Sequence, residues 1–171
     1  MERKVIRSEH SRNSYGEEYP KSDQIQIILL LLFLAAWSLD SFLLKASTYP
    51  ARLLPLYLRL IVSVVLIFTG LLLVKRSHNL VIDEVYERPT LIDTDVYNLV
   101  RHPMYLGILL VYLGLSSSTL SMISLGLWAG IFLIYNRMAA YEERDLIRIF
   151  EREYEDYMQR VPRWVPNFFL T

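Results

Sequence analysis

The sequence predicts an all-α polytopic membrane protein. About four transmembrane helices are expected, the third and fourth a tight hairpin, followed by a cytoplasmic C-terminal amphipathic helix. Three observations predict it. Two separate apolar runs, residues 25–44 and 53–74, are each about 20 residues long, the length a helix needs to cross ~30 Å of hydrocarbon. A third apolar block, Pro103 to Tyr141, is too long for one span and is interrupted by the serine-rich stretch Ser116 to Ser121. The basic residues gather in segments that fall on one side of such a bundle.

Each element follows in order. Residues 1–24 are polar, and a signal peptide is not expected, because this stretch precedes an apolar run longer than a typical signal core. Residues 25–171 form a single domain. Its first two spans, 25–44 and 53–74, carry one formal charge apiece inside the apolar run, Asp40 and Arg59, at similar depth from the 45–52 turn. Intramembrane charges are candidates for function, but so close to the interface a structural pair or snorkelling is the preferred reading. The 75–102 connection mixes Val, Ile, Leu and Tyr with charges and is expected to lie on the membrane surface. Spans three and four are placed at 103–118 and 121–141, the first of them short for a full crossing. Gly126 and Gly130 form a GxxxG pair, and Gly107 and Gly114 lie a heptad apart. All four are expected to serve helix packing. From about 143 to 160, Leu146, Ile149, Phe150, Tyr154, Tyr157 and Met158 recur at helical spacing. Pro162 ends that helix, and Trp164, Phe168 and Phe169 are expected as interfacial anchors.

Counting basic residues orients the chain. Residues 1–24 hold five, the 75–102 connection four and the tail from Arg137 six, out of 18 in all. Both termini are therefore expected in the cytoplasm. The acidic residues follow the same three segments, so Lys+Arg and Asp+Glu balance at 18 each. Zero net charge argues against nucleic-acid binding, which needs a basic excess. With no cysteine there is no disulfide framework or thiolate nucleophile. The three histidines, His10, His78 and His102, have no ligand-spaced partner, so no metal site is expected.

Two short motifs meet on the cytoplasmic side. Pro103 suits the first turn of a helix and leaves its free N–H groups and positive dipole end facing the cytoplasm beside Arg101 and His102. Glu142 and Glu143 fall at the end of the fourth span, where acids oppose the helix dipole without local compensation. A hairpin turning near residue 119 brings the two motifs to one face. A plain salt-bridged interface would account for the same arrangement.

The stretches TLIDTDVYNLVRHPMYLG (Thr90 to Gly107) and AAYEERDLIRIFEREYEDYMQRVPRWVP (Ala139 to Pro166) resemble the integral membrane methyltransferases typified by isoprenylcysteine carboxyl methyltransferases and phospholipid N-methyltransferases. The shared elements are RHPxYxG and EExxL, separated by an apolar hairpin, and the resemblance covers about the C-terminal half. It implies S-adenosyl-L-methionine as methyl donor. Carried over by position, the cofactor contacts are Leu91, Ile92, Tyr97, His102, Pro103, Met104, Tyr105 and Glu142. Physical roles are available for them: the helix N-terminus beside His102 suits a carboxylate, and the tyrosines and acids suit cationic sulfonium and ammonium groups. No GxGxxG occurs, which excludes a Rossmann-type site. The chain departs from the family pattern at Asp95 and Asn98, which replace the glycine and arginine of a GxYR turn, and at Glu151, which replaces a helix glycine. The family's substrate-facing arginine aligns with Met138, whereas Arg137 is its neighbour, rotated by about 100°.

Transfer of a methyl group to a lipophilic small-molecule or lipidated acceptor that approaches laterally from the bilayer is the leading expectation, with membrane lipids as further partners and Arg101, Arg137 and Glu143 as the candidate catalytic residues. Carboxyl O-methylation of an isoprenylcysteine-like acceptor is slightly favoured over amine or phospholipid N-methylation: Arg101 or Arg137 near the acceptor suits a carboxylate, which needs no base, whereas an amine would need one, with Glu143 as the candidate. A non-catalytic four-helix scaffold and a nicotinamide-dependent membrane reductase are the rival readings. The oligomeric state is open.

Overall fold

The computed structural model describes residues 19–84 and 91–166. His10, Phe168, Phe169 and the middle of the 75–102 connection lie outside the described residues. Among the described residues there is no strand. Helix α1 runs Ser22–Ser38 and continues through a π-helical turn, Leu39–Leu44. Helix α2 is Leu56–Glu84, α3 is Pro103–Thr119 and α4 is Met122–Arg160. Short 3₁₀ turns occupy Tyr49–Arg52 and Asp95–Asn98. Among the described residues, three segments are long and apolar enough to cross a membrane: Ser22–Leu44, Leu56–Val81 and Met122–Arg160. Pro103–Thr119 is apolar but shorter. Leu31, Leu43, Val64, Phe68 and Leu133 are among the large apolar side chains exposed on the outer faces, as lipid-facing residues must be.

Helices α2 and α3 touch almost backbone to backbone. A Cβ on Gly70 would lie 2.5 Å from the carbonyl oxygen of Gly107, and one on Gly107 2.6 Å from that of Gly70. A Cβ on Gly114 would meet Ile67 at 2.7 Å. Small residues permit this approach, and dispersion across the seam replaces the hydrophobic drive that lipid does not supply. Gly126 and Gly130 behave differently from expectation. Nothing lies within 4 Å of a Cβ built on either, so this GxxxG packs against no other part of the described chain. The aromatic core lies instead between α1, α3 and α4, where Phe33, Tyr105, Leu109, Tyr112, Ile131 and Tyr135 are buried together.

Asp40 and Arg59 do not pair with each other. Asp40 is 2% exposed, and its carboxylate accepts Ser47 N–H at 3.0 Å and the hydroxyls of Ser47 and Ser121, each at 2.5 Å. The π-helical turn ends at Lys45, whose N–H donates to the Asp40 carbonyl at 2.7 Å. Arg59 Nη1 donates instead to the Ser118 carbonyl at 3.0 Å. Ser41 and Trp37 both donate to the Thr119 hydroxyl. Together these bonds tie the end of α1 to the α3–α4 turn. In a low-dielectric setting a carboxylate fully supplied with donors is tolerated, whereas an unpaired one is not.

The largest departure from expectation concerns α4. A break was placed between a fourth span ending at 141 and a surface helix starting at 143, yet the helix continues through AAYEERDL, which contains no glycine, proline or β-branched residue to stop it. The bend comes later, at Glu151 (φ 46°, ψ −122°). Residues other than glycine rarely adopt that backbone conformation, and holding one there costs about 1–3 kcal/mol. It is also the position at which the family pattern carries glycine. Glu151 is exposed, so Glu151→Gly is expected to raise thermal stability by about 1 kcal/mol or more, while Glu151→Ala brings no gain. A melting curve of the glycine variant that falls below the parent would sink this account of the bend. Asp95, the other glycine position of the pattern, also has positive φ (49°), and its side chain reaches Arg76 at 3.1 Å across an exposed surface. Aspartate bears that conformation more easily than glutamate.

Candidate active site at the mouth of the hairpin

Pro103 is the first residue of α3 and is buried, so the helix begins with a fixed φ and no N–H of its own to satisfy. No side chain caps this start. The Met104 amide therefore adds a free N–H to the positive end of the helix dipole. The hairpin returns α4 to the same level, and Glu142 and Glu143 arrive beside Arg101, His102 and Tyr105.

Glu143 is the hub. Its Oε1 accepts from Arg101 Nε at 2.9 Å, His102 Nε2 at 3.2 Å and Arg163 Nε at 3.0 Å, and Arg163 Nη2 binds Oε2. The side chain is only 3% exposed. It lies past the membrane-crossing part of α4, which we read as residues 122–141. Burial by itself would push this carboxyl up, but hydrogen bonds from His102, Arg163 and Arg101 outweigh it and hold the pKa at about 2. Glu143 does not stand at a helix end, since α4 runs on to Arg160; its buried charge is compensated from outside the helix by three side chains distant in sequence.

Glu142 points to the other side of the same helix turn and is partly exposed. Tyr105 donates its hydroxyl to Oε1 at 2.5 Å, and His102 Nδ1 stands 3.7 Å from Oε2. His102 is thereby flanked by both carboxylates, with its ring stacked on Tyr105 at 5.8 Å. Arg101 does more than pair with Glu143. Its Nη1 donates to the carbonyls of Met158 (3.1 Å) and Val161 (2.6 Å), and its own N–H to that of Pro162 (2.9 Å). It therefore pins the end of α4 over the mouth of α3.

Leu91 packs on the cluster of Tyr154, Tyr157 and Val161 that roofs this mouth. Tyr157 donates to the Tyr97 carbonyl at 2.6 Å, and burial pushes its phenol pKa up, which keeps it a donor. Ile92 and Met104 are half-buried. The candidate residues Leu91, Tyr97, Arg101, His102, Pro103, Tyr105, Glu142 and Glu143 are thus assembled at one end of the bundle. Arg137 is not brought in: it is exposed, with no ion-pair partner among the described residues, while its neighbour Met138 is buried. Two further residues belong to the network but were not singled out from the sequence. Arg163 binds Glu143 twice and donates to Asn136 Oδ1 at 3.0 Å, and Asn136 also accepts from Trp164 Nε1 at 2.9 Å. The VPR run that closes the family pattern was the signal for Arg163. Nothing in the local sequence marks Asn136.

The charges present suit a zwitterion with a cationic centre. The uncapped start of α3 is a place for a carboxylate, and Glu142, partly exposed between two aromatic rings, is a place for a cation. No group of three or more His, Cys, Asp or Glu able to hold a metal occurs among the described residues.

Comparison with known proteins identifies the family. Residues 58–153 match the phospholipid methyltransferase family, more than half of the chain, and the chain belongs to that family. Methanethiol S-methyltransferase 2 of Bradyrhizobium diazoefficiens is 36% identical over 43% of this chain and 28% of the relative. Methanethiol S-methyltransferase of Pseudomonas deceptionensis is 31% identical over 42% of the chain and 27% of the relative. Protein-S-isoprenylcysteine O-methyltransferase B of Arabidopsis thaliana is 32% identical over 58% of the chain and 46% of the relative. The chain thus spans less than half the length of each of these relatives. No solved structure matches it.

Proposed function

We propose that this member of the phospholipid methyltransferase family is an S-adenosylmethionine-dependent methyltransferase that acts on a lipophilic acceptor at the cytoplasmic membrane surface. The observation that carries the reading is the pair Glu142 and Glu143, held by the hairpin against the uncapped start of α3 with His102 and Tyr105 between them. The start of α3 and His102 would hold the donor's carboxylate, and Glu142 with Tyr105 its cationic groups. Bound S-adenosylmethionine supplies an electrophilic methyl carbon on a sulfonium, so the acceptor atom gains the methyl as sulfur keeps the bonding pair.

The protein's own part is positioning. Glu143 fixes Arg101, His102 and Arg163 in one geometry, and orientation of reacting groups is the main source of rate in such a displacement. Glu143 is poorly suited to act as a base: a carboxylate held at a pKa of about 2 and enclosed by three donors does not take a proton near neutral pH. An acceptor that is already an anion needs no base. This favours a carboxylate, and O-methylation over N-methylation. A thiolate is the second reading, favoured by the names of the bacterial relatives. The cytoplasmic placement rests on the basic residues of the two termini and the α2–α3 connection.

Purified protein in detergent is expected to show saturable thermal stabilisation by S-adenosylmethionine and none by NADPH. Labelled methyl transfer to a lipid extract, read by product mass, then identifies the acceptor. Stabilisation by NADPH alone would support the reductase reading, and by neither ligand the scaffold reading.

A further inference from the structure

Asn136 has an amide group that the described residues use on one side only. Its Oδ1 accepts from Arg163 Nη1 and Trp164 Nε1. Guanidinium and indole nitrogens donate and do not accept, so the oxygen must face them and the orientation of the amide is not in doubt. The NH₂ then faces away, and no partner among the described residues takes its two hydrogens. Asn136 is half-buried, two turns of helix from Glu143.

The same residue continues an aromatic row. Trp128, Phe132 and Asn136 follow one another at i, i+4 spacing along α4, hence along one face. Trp128 is fixed by its Nε1 on the Leu109 carbonyl at 2.9 Å, with its ring 6.0 Å from Phe132. Phe132 lies 5.4 Å from Trp164, and Trp164 lies 6.1 Å from His102. Half-buried rings therefore run without a gap from the membrane-crossing part of α4 to the candidate active site. The α2–α3 seam provides no such path, because the contacts of Gly70, Gly107 and Gly114 close it.

We propose that Asn136 reads the acceptor's head group. Its NH₂ donates to an oxygen beside the atom to be methylated, while the acceptor's apolar tail lies on Trp128 and Phe132. This rests on the methyltransferase reading above and narrows it to an amphiphile whose head carries a carbonyl or carboxylate oxygen, as distinct from a bare alkanethiol or an amine.

The test uses the full chain in detergent and three probes with one alkyl tail: dodecylthioacetic acid, its methyl ester and dodecanethiol. Affinity is read from tryptophan fluorescence, since Trp128 and Trp164 line the path. Asn136→Asp keeps both accepted hydrogen bonds and removes the two donors. It is expected to weaken the acid and the ester about tenfold or more, the scale of a lost hydrogen bond to a polar or charged head, and to leave dodecanethiol unchanged. Phe132→Ala is expected to weaken all three alike. The proposal is overturned if the parent protein binds dodecanethiol as tightly as the acid. The same holds if Asn136→Asp has no effect, weakens all three probes equally, or weakens only the acid, which would be charge repulsion. Stabilisation by S-adenosylmethionine is measured on the same samples. Its absence defeats the methyltransferase reading, while the probe ranking still judges Asn136.

Discussion

Replacing Glu143 by alanine is expected to cost about 3–5 kcal/mol of stability, the scale for removing one partner from a buried ionic network. Arg101, His102 and Arg163 would all lose the oxygen atoms on which they converge. Arg101 and Arg163 would remain as adjacent cations with little water to screen them, so the end of α4 should come away from the mouth of α3. The measurement is thermal or denaturant unfolding in detergent, beside Glu143→Gln, which keeps the shape and loses the charge and should fall between parent and alanine. A loss below 1 kcal/mol for the alanine variant would mean that the network is not what joins these elements. The pH dependence follows from the same geometry. The folded pKa of about 2 lies below the ordinary value of 4.5, so the group binds its proton more readily when unfolded. Its contribution is therefore fully present above pH 4.5 and is lost as pH falls toward 2, amounting to about 3 kcal/mol. Glu143→Gln should flatten that part of the acid limb.

Glu142→Gln should behave in the opposite manner, leaving stability nearly intact while weakening S-adenosylmethionine by about 10- to 100-fold, as expected when a charge-assisted contact of about 1.5–3 kcal/mol is lost. The amide still accepts the Tyr105 hydroxyl, so the local geometry is kept. What disappears is the negative charge offered to a cationic centre. Equilibrium binding of the labelled donor, together with the melting temperature of the same preparation, separates the two effects. If the variant binds the donor as the parent does, Glu142 does not face its cationic part.

The contrast between these neighbours shows how far the sequence could be read. Two acids at what the sequence reads as a helix end point to compensation from outside, and the hairpin points to Arg101 and His102; the partners are there although the helix itself runs on to Arg160. The third cation, Arg163, was harder to find. It lies beyond the proline that ends the last helix, and its approach depends on the bend at Glu151, which no periodicity reveals. Periodicity also suggests two helices where there is one, because a change from apolar to amphipathic character alters what surrounds a helix without breaking it. The glycines carry a similar lesson. A GxxxG spacing states that close approach is possible on one face, but whether a neighbour is there depends on the whole bundle. Here Gly70 and Gly107 meet, whereas Gly126 and Gly130 face outward. Asp40 and Arg59 are expected from the sequence to pair or to snorkel, and they do not pair: Asp40 takes serine hydroxyls and Arg59 a carbonyl instead. Hydroxyl-rich turns offer many partners that charge counting overlooks.

The Asp40 knot acquires a mechanical meaning once both ends of the bundle are considered together. It fastens α1 to the α3–α4 turn at the end remote from His102 and Glu143. Any tilt of α1 against the hairpin would then pivot like a tweezer, smallest at the knot and widest at the tips. A helix of roughly 20 residues is about 30 Å long, so a tilt of about 3° at the fulcrum opens the far end by about 1.5 Å. Serine hydroxyls buried at one end of the bundle thereby set how widely the start of α1 can part from the glutamate-bearing end of the hairpin at the other.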